Sequence, residues 1–94
     1  MIKFEHDEEG YFRWLTSHPA GYVLNVRSEP APKYVVLHRA SCGSISSTKR
    51  APQAYTGKSY RKWCGESMEE VRAAAVKEGR LDGSFSKRCG MCKP

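Results

Sequence analysis

His38-Arg-Ala-Ser-Cys42 and Cys89-Gly-Met-Cys92 place four soft or borderline ligands in two short pairs, the layout of a structural zinc site. Two residues between the last cysteines let the backbone turn so that both sulfurs face one ion, and Gly90 eases that turn. The first pair is one residue wider, as where a strand runs into a tight loop. One Zn²⁺ held by both pairs closes a loop of about fifty residues, more than half of the chain. A tie of that size organises a fold.

At 94 residues the chain makes one domain with little core of its own. Such domains commonly need a staple. A composition 39% hydrophobic and 11% aromatic is globular, not disordered. Glu5, Asp7, Glu8 and Glu9 crowd the N-terminus and leave no secretory apolar region before residue 30. No apolar run reaches the length of a membrane span. The expectation is a cytoplasmic protein without membrane contact, whose four cysteines serve as ligands in preference to two disulfides.

Charge is unevenly spread. Sixteen Lys and Arg face ten Asp and Glu, for a formal net charge of +6. From Lys33 to Lys62 there are seven bases (Lys33, Arg39, Lys49, Arg50, Lys58, Arg61, Lys62) and no acid. Threaded with Ser, Thr and Tyr, this stretch projects a positive field suited to an acidic polymer, and nucleic acid is the commonest one. Arg39, Lys49, Arg50, Lys58, Arg61 and Lys62 are the expected phosphate contacts, helped by the hydroxyls between Ser44 and Thr48. A solvated basic face is the bland alternative.

Local signals give an α+β order. Asp7 caps a short helix carrying Tyr11, Phe12, Trp14 and Leu15, which stops before His18-Pro19. Gly21 to Arg27 alternates as a half-buried strand, and Lys33 to His38 forms a second strand that pairs with it as a hairpin. Gly43 to Gly57 is a long irregular loop of the kind that carries function. Lys58 to Cys64 reads as a third strand, with Arg61 and Trp63 on one face and Tyr60 and Lys62 on the other. One of those faces must be core, and burial is expected for Trp63. Ser67-Met68-Glu69-Glu70 is a capping box opening a helix that ends at Gly79. The expected architecture is one small zinc-stabilised domain, a short antiparallel sheet with one or two helices. Residues 1–32 are an N-terminal helix and strand ahead of a zinc module over residues 33–94.

The order His38-x-x-x-Cys42, basic loop, strand, alanine-rich helix Glu69 to Ala75, Gly79 and Arg88-Cys-Gly-Met-Cys-Lys-Pro94 resembles the zinc-binding domain of the bacterial adaptive-response (Ada) family. The resemblance spans Tyr34 to Pro94 and implies a zinc domain that touches DNA, in a restriction or repair context. That family has Cys or His as its first ligand, and in the Ada protein itself it is a cysteine that accepts a methyl group from a DNA phosphotriester. Here it is His38, and an imidazole cannot take that role, so the resemblance implies the scaffold without the enzyme.

Cys64 keeps a second ligand set open, because Cys42, Cys64, Cys89 and Cys92 would suit zinc as well as His38, Cys42, Cys89 and Cys92. The three-residue separation of His38 from Cys42, which matches the family resembled, and the strand that aims His38 at the loop favour the set with His38, and a buried core thiol is the plain reading of Cys64. His6, in an acidic frayed terminus, and His18, before a proline, are expected to be bland. Two functions follow from different classes: a zinc-stabilised module for nucleic acid, chiefly double-stranded DNA, or a structural domain that docks a protein partner through its aromatic N-terminal helix. With four protein ligands and no open position on the ion, catalysis is not expected.

Overall fold

The longest apolar alternation in the chain becomes the centre of its sheet. The structure, a computed structural model describing residues 1–94, has strands β1 (Ile2–Phe4), β2 (Tyr22–Arg27), β3 (Val35–Arg39), β4 (Tyr60–Gly65) and β5 (Lys87–Arg88). Its helices are α1 (Glu8–Ser17) and α2 (Met68–Lys77). The sheet order is β1-β4-β2-β3-β5. The β2–β3 hairpin forms as expected, with Val23 opposite His38. The third strand, β4, lies on the other side of β2, with Val23 opposite Cys64. The class is α+β, with two helices and a mixed five-stranded sheet: β3 and β5 run parallel while the other pairs are antiparallel.

Both helices start where the sequence places them. Asp7 Oδ1 accepts from the Gly10 amide at 2.9 Å, and Ser67 Oγ accepts from the Glu70 amide at 3.2 Å. Glu70 reaches back one residue further than a capping box requires, taking the Glu66 amide at 2.8 Å and the terminal ammonium of Met1 at 2.9 Å. At its far end α2 stops on Gly79, whose φ of +102° is open to glycine and strained for other residues.

Alternation along the strands sends side chains to opposite faces, and each face has its own cover. Leu24, Val26, Val35 and Leu37 pack under Val71, Ala74 and Ala75 of α2. Val23 and Cys64 face the other way, into a cluster with Phe4, Tyr11, Trp14 and Leu15, and with Cys42, Ile45 and Tyr55 from the long loop. The expectation that only one face of β4 would be core is therefore corrected. Trp63 is half-buried on the α2 side, where Nε1 donates to Glu78 at 2.9 Å and Lys3 and Lys77 lie over the ring. Lys62, on the opposite face, is the more deeply buried of the two.

The N-terminal third is not an appendage. β1, which carries no local signature in the sequence, pairs with β4 through Ile2–Cys64 and Phe4–Lys62, so the terminus is tied into the sheet instead of frayed. Tyr11 and Trp14 are buried in the α1-side core and Phe12 packs against it. Of the three rings expected to form a docking patch on α1, Tyr11 and Trp14 are covered and Phe12 is half-buried. No helix is long and apolar enough to cross a membrane.

Candidate metal centre

β3 delivers the first ligand. Its apolar run Val35–Leu37 is buried, and the strand carries His38 directly to the sheet's end. The backbone then turns, the Cys42 amide donating to the Arg39 carbonyl at 3.0 Å, and a 3₁₀ turn over Gly43–Ile45 follows. The second pair arrives on β5, laid parallel to β3 with Leu37 opposite Arg88. The Cys89 amide donates to the Leu37 carbonyl at 2.8 Å, which sets the knuckle beside His38, and the Lys93 amide closes it on the Cys89 carbonyl at 3.0 Å.

One ligand atom from each of His38, Cys42, Cys89 and Cys92 lies within 4.8 Å of the other three. Cys42 and Cys89 sulfurs are 3.9 Å apart. The Arg39 amide donates to Cys92 Sγ at 3.2 Å and Ser44 Oγ stands 3.0 Å from Cys42 Sγ, but burial, with the neighbouring Cys42 and Cys89, pushes the Cys92 thiol up to about 11. Burial works to raise the Cys89 thiol, but donation from the Cys92 and Met91 amides prevails and brings it down to about 7. Burial, with a smaller push from the Lys62 ammonium, lowers the His38 imidazole to about 4 and keeps it neutral at physiological pH. His38 Nδ1 is buried without a hydrogen-bond partner. A histidine that leaves one buried ring nitrogen without a partner and stands with three thiols fits a metal ligand, and the four side chains could hold a metal ion.

Cys64 stands outside this group. It is fully buried in the α1-side cluster, and desolvation pushes its thiol up to about 12, the state of an inert core cysteine. The ligand atoms that converge are those of His38, Cys42, Cys89 and Cys92.

The predicted phosphate contacts divide. Lys49, Arg50 and Lys58 are exposed. Arg61 is half-buried, its guanidinium donating to the Lys58 and Tyr60 carbonyls at 2.9 and 2.7 Å. Arg39 is exposed but spends its guanidinium on the knuckle, Nε to the Cys92 carbonyl at 3.0 Å and Nη2 to that of Lys93 at 3.1 Å. It supports the metal centre from outside. Lys62 is 1% exposed and cannot lie on a flat phosphate surface, because the sheet and the loop residue Tyr55 enclose it.

Burial lowers the Lys62 ammonium to about 7 from an ordinary 10.5, against the field of Glu8, which favours its charge. The folded protein therefore binds fewer protons than the unfolded chain between those values. This cation weakens the fold at neutral pH, and its penalty fades as pH rises. We expect stability by chemical denaturation to rise between pH 7 and 9 by about 1 kcal/mol per pH unit from this group. Lys62→Met should remove that rise, and an unchanged slope in the variant would show that Lys62 does not carry it.

Compared with known proteins, the chain matches no family model, no curated protein and no solved structure.

Proposed function

We propose that this chain is a zinc-stabilised module that binds nucleic acid, with duplex DNA as the expected form. Three sulfurs and one imidazole are the donor set of a closed structural zinc site. In a tetrahedron with Zn–S bonds of about 2.3 Å, two sulfurs sit about 3.8 Å apart, in keeping with the 3.9 Å between Cys42 and Cys89.

One observation carries the nucleic-acid part. Arg50, from the acid-free stretch, and Lys87, from β5, line one concavity with the metal ligands His38 and Cys89. Basic residues that are distant in sequence thus converge beside the centre that would hold them there. The order of elements shared with the Ada family supports the same reading, and targeting of modified or damaged DNA, which rests on that resemblance alone, is its narrower form.

Titration of the zinc-loaded protein against labelled duplex DNA at several salt concentrations tests it. Affinity should fall steeply with salt. Lys49→Ala/Arg50→Ala should reduce the slope of log affinity on log salt by about 1 for each phosphate left without its cation. Absence of binding at low salt by protein carrying one zinc per chain overturns the proposal.

A further inference from the structure

A pocket of about 390 Å³ opens on the sheet beside the metal cluster, within the size range of small-ligand sites. Asn25 of β2, Val36 of β3 and Lys62 of β4 come from one face of the sheet and form its floor, and Tyr55 of the long loop and Tyr60 form walls. The Lys62 Nζ donates to Asn25 Oδ1 at 2.7 Å and to the Tyr55 carbonyl at 2.8 Å. An ammonium has three N–H donors, so one remains. Both tyrosine ring centroids lie 5.5 Å from Nζ.

What this cation lacks is a counter-charge in contact with it. It takes part in no ion pair. Glu8, whose field reaches it, spends Oε1 on the Tyr55 and Thr56 amides at 2.8 and 2.6 Å and on the Thr56 hydroxyl at 3.1 Å. A buried, unpaired ammonium is costly, and an apolar side chain of similar length would fill the same space without that cost. A buried cation carrying such a cost, at the floor of an open pocket, is where a ligand's counter-charge would be most favourable. Arg50 and Lys87, both exposed, add two cations at the rim.

We propose that this pocket binds a phosphate monoester, either a small phosphate ester or the terminal phosphate of a nucleic-acid strand. Lys62 supplies the buried counter-charge and Arg50 and Lys87 close over the remaining oxygens. Three converging cations match a group carrying about −1.5 to −2 charges better than a singly charged carboxylate. Because Lys62 is 1% exposed, a chain end can reach it where a continuous phosphodiester running past cannot. His38 and Cys89 form part of the pocket wall, so metal loading shapes the site. The strand-end form rests on the nucleic-acid reading above, whereas the phosphate site itself does not.

The test is calorimetric titration of the metal-loaded protein with inorganic phosphate, a nucleoside 5′-monophosphate, and one oligonucleotide sequence with and without a 5′-phosphate. The monophosphate should bind, and Lys62→Met should weaken it at least tenfold. Arg50→Ala and Lys87→Ala, both surface changes that leave the core intact, should weaken it several-fold even if Lys62→Met proves poorly folded. Tenfold tighter binding of the phosphorylated oligonucleotide would establish the strand end as ligand. Binding of small esters with indifference to oligonucleotides would sustain the pocket and defeat the nucleic-acid reading. Oligonucleotide binding that ignores the 5′-phosphate, with no affinity for phosphate or the monophosphate, would overturn the pocket and leave the nucleic-acid reading standing. Failure to bind any of the four probes would overturn both.

Discussion

Stripping the metal, by chelation or through Cys42→Ser, is expected to abolish the folded state of the α1-side half of this protein. β5 is a two-residue strand, and beyond that short pairing a few hydrogen bonds from Ser86, Cys89 and Arg39 are all that tie the C-terminal knuckle to β3 without a metal. The segment from Cys42 to Gly57 contains one 3₁₀ turn and no strand, yet its Ile45 and Tyr55 complete the α1-side core. Zinc binding in small domains contributes about 10–16 kcal/mol, as much as the whole stability of an ordinary domain. A loss of even several kcal/mol should lower the melting temperature by tens of degrees, at about 4–8 °C per kcal/mol. Cys64→Ala is the contrast: it opens a small cavity, costs about 1–2 kcal/mol, and should retain one metal per chain. Metal content and thermal melting of the two variants decide the ligand set. Stoichiometric metal in Cys42→Ser, or its loss in Cys64→Ala, would reverse the assignment.

Tyr11→Ala should cost about 3–5 kcal/mol, the usual range for truncating a buried aromatic. Tyr11 is fully buried on α1, edge-on to Phe4 with ring centroids 6.1 Å apart and 5.8 Å from Tyr55. Its hydroxyl donates to the Ile45 carbonyl at 2.6 Å, three residues beyond the ligand Cys42. The ring packs the helix while the hydroxyl anchors the metal loop, and Tyr11→Phe separates these roles. Loss of the hydroxyl leaves a buried carbonyl without its donor, for about 1–3 kcal/mol, and should loosen the loop enough to speed metal release to a chelator. Urea denaturation and chelator kinetics on both variants provide the check. A Phe variant that matches the parent in stability and release rate would mean that the hydroxyl bond does not restrain the loop.

Local elements were legible because their signals are local. Asp7 and Ser67 can satisfy helix amides only at a helix start. The alternation of Tyr22 to Val26 is a strand pattern whatever lies beside it, and the closeness of His38 to Cys42 and of Cys89 to Cys92 is covalent. β1 escaped notice because Ile2-Lys3-Phe4 has neither length nor flanking turn signals, and only the open edge of β4 makes it a strand. The parallel seat of β5 was equally hidden, since two residues carry no period.

Lys62 shows most clearly where reading the sequence stops. Its alternation with Trp63 is correctly read, but alternation says only that the two side chains part company, not what covers each face. A lysine in a run of bases reads as a solvated charge, and desolvating it is normally too costly to expect. The tertiary structure roofs that face with Tyr55 and leaves Glu8 committed to backbone amides. Which charged group is buried follows from packing between segments far apart in sequence.

By itself the sequence determined the candidate metal-ligand types, the two helices, the central hairpin and the excess of positive charge, all properties of residues within a few positions of one another. The tertiary structure decided that His38, not Cys64, stands with Cys42, Cys89 and Cys92, that the aromatic face of α1 points inward, and that Lys62 closes a pocket. Those outcomes depend on strand order and on which surfaces lose their water, which no short stretch of chain specifies.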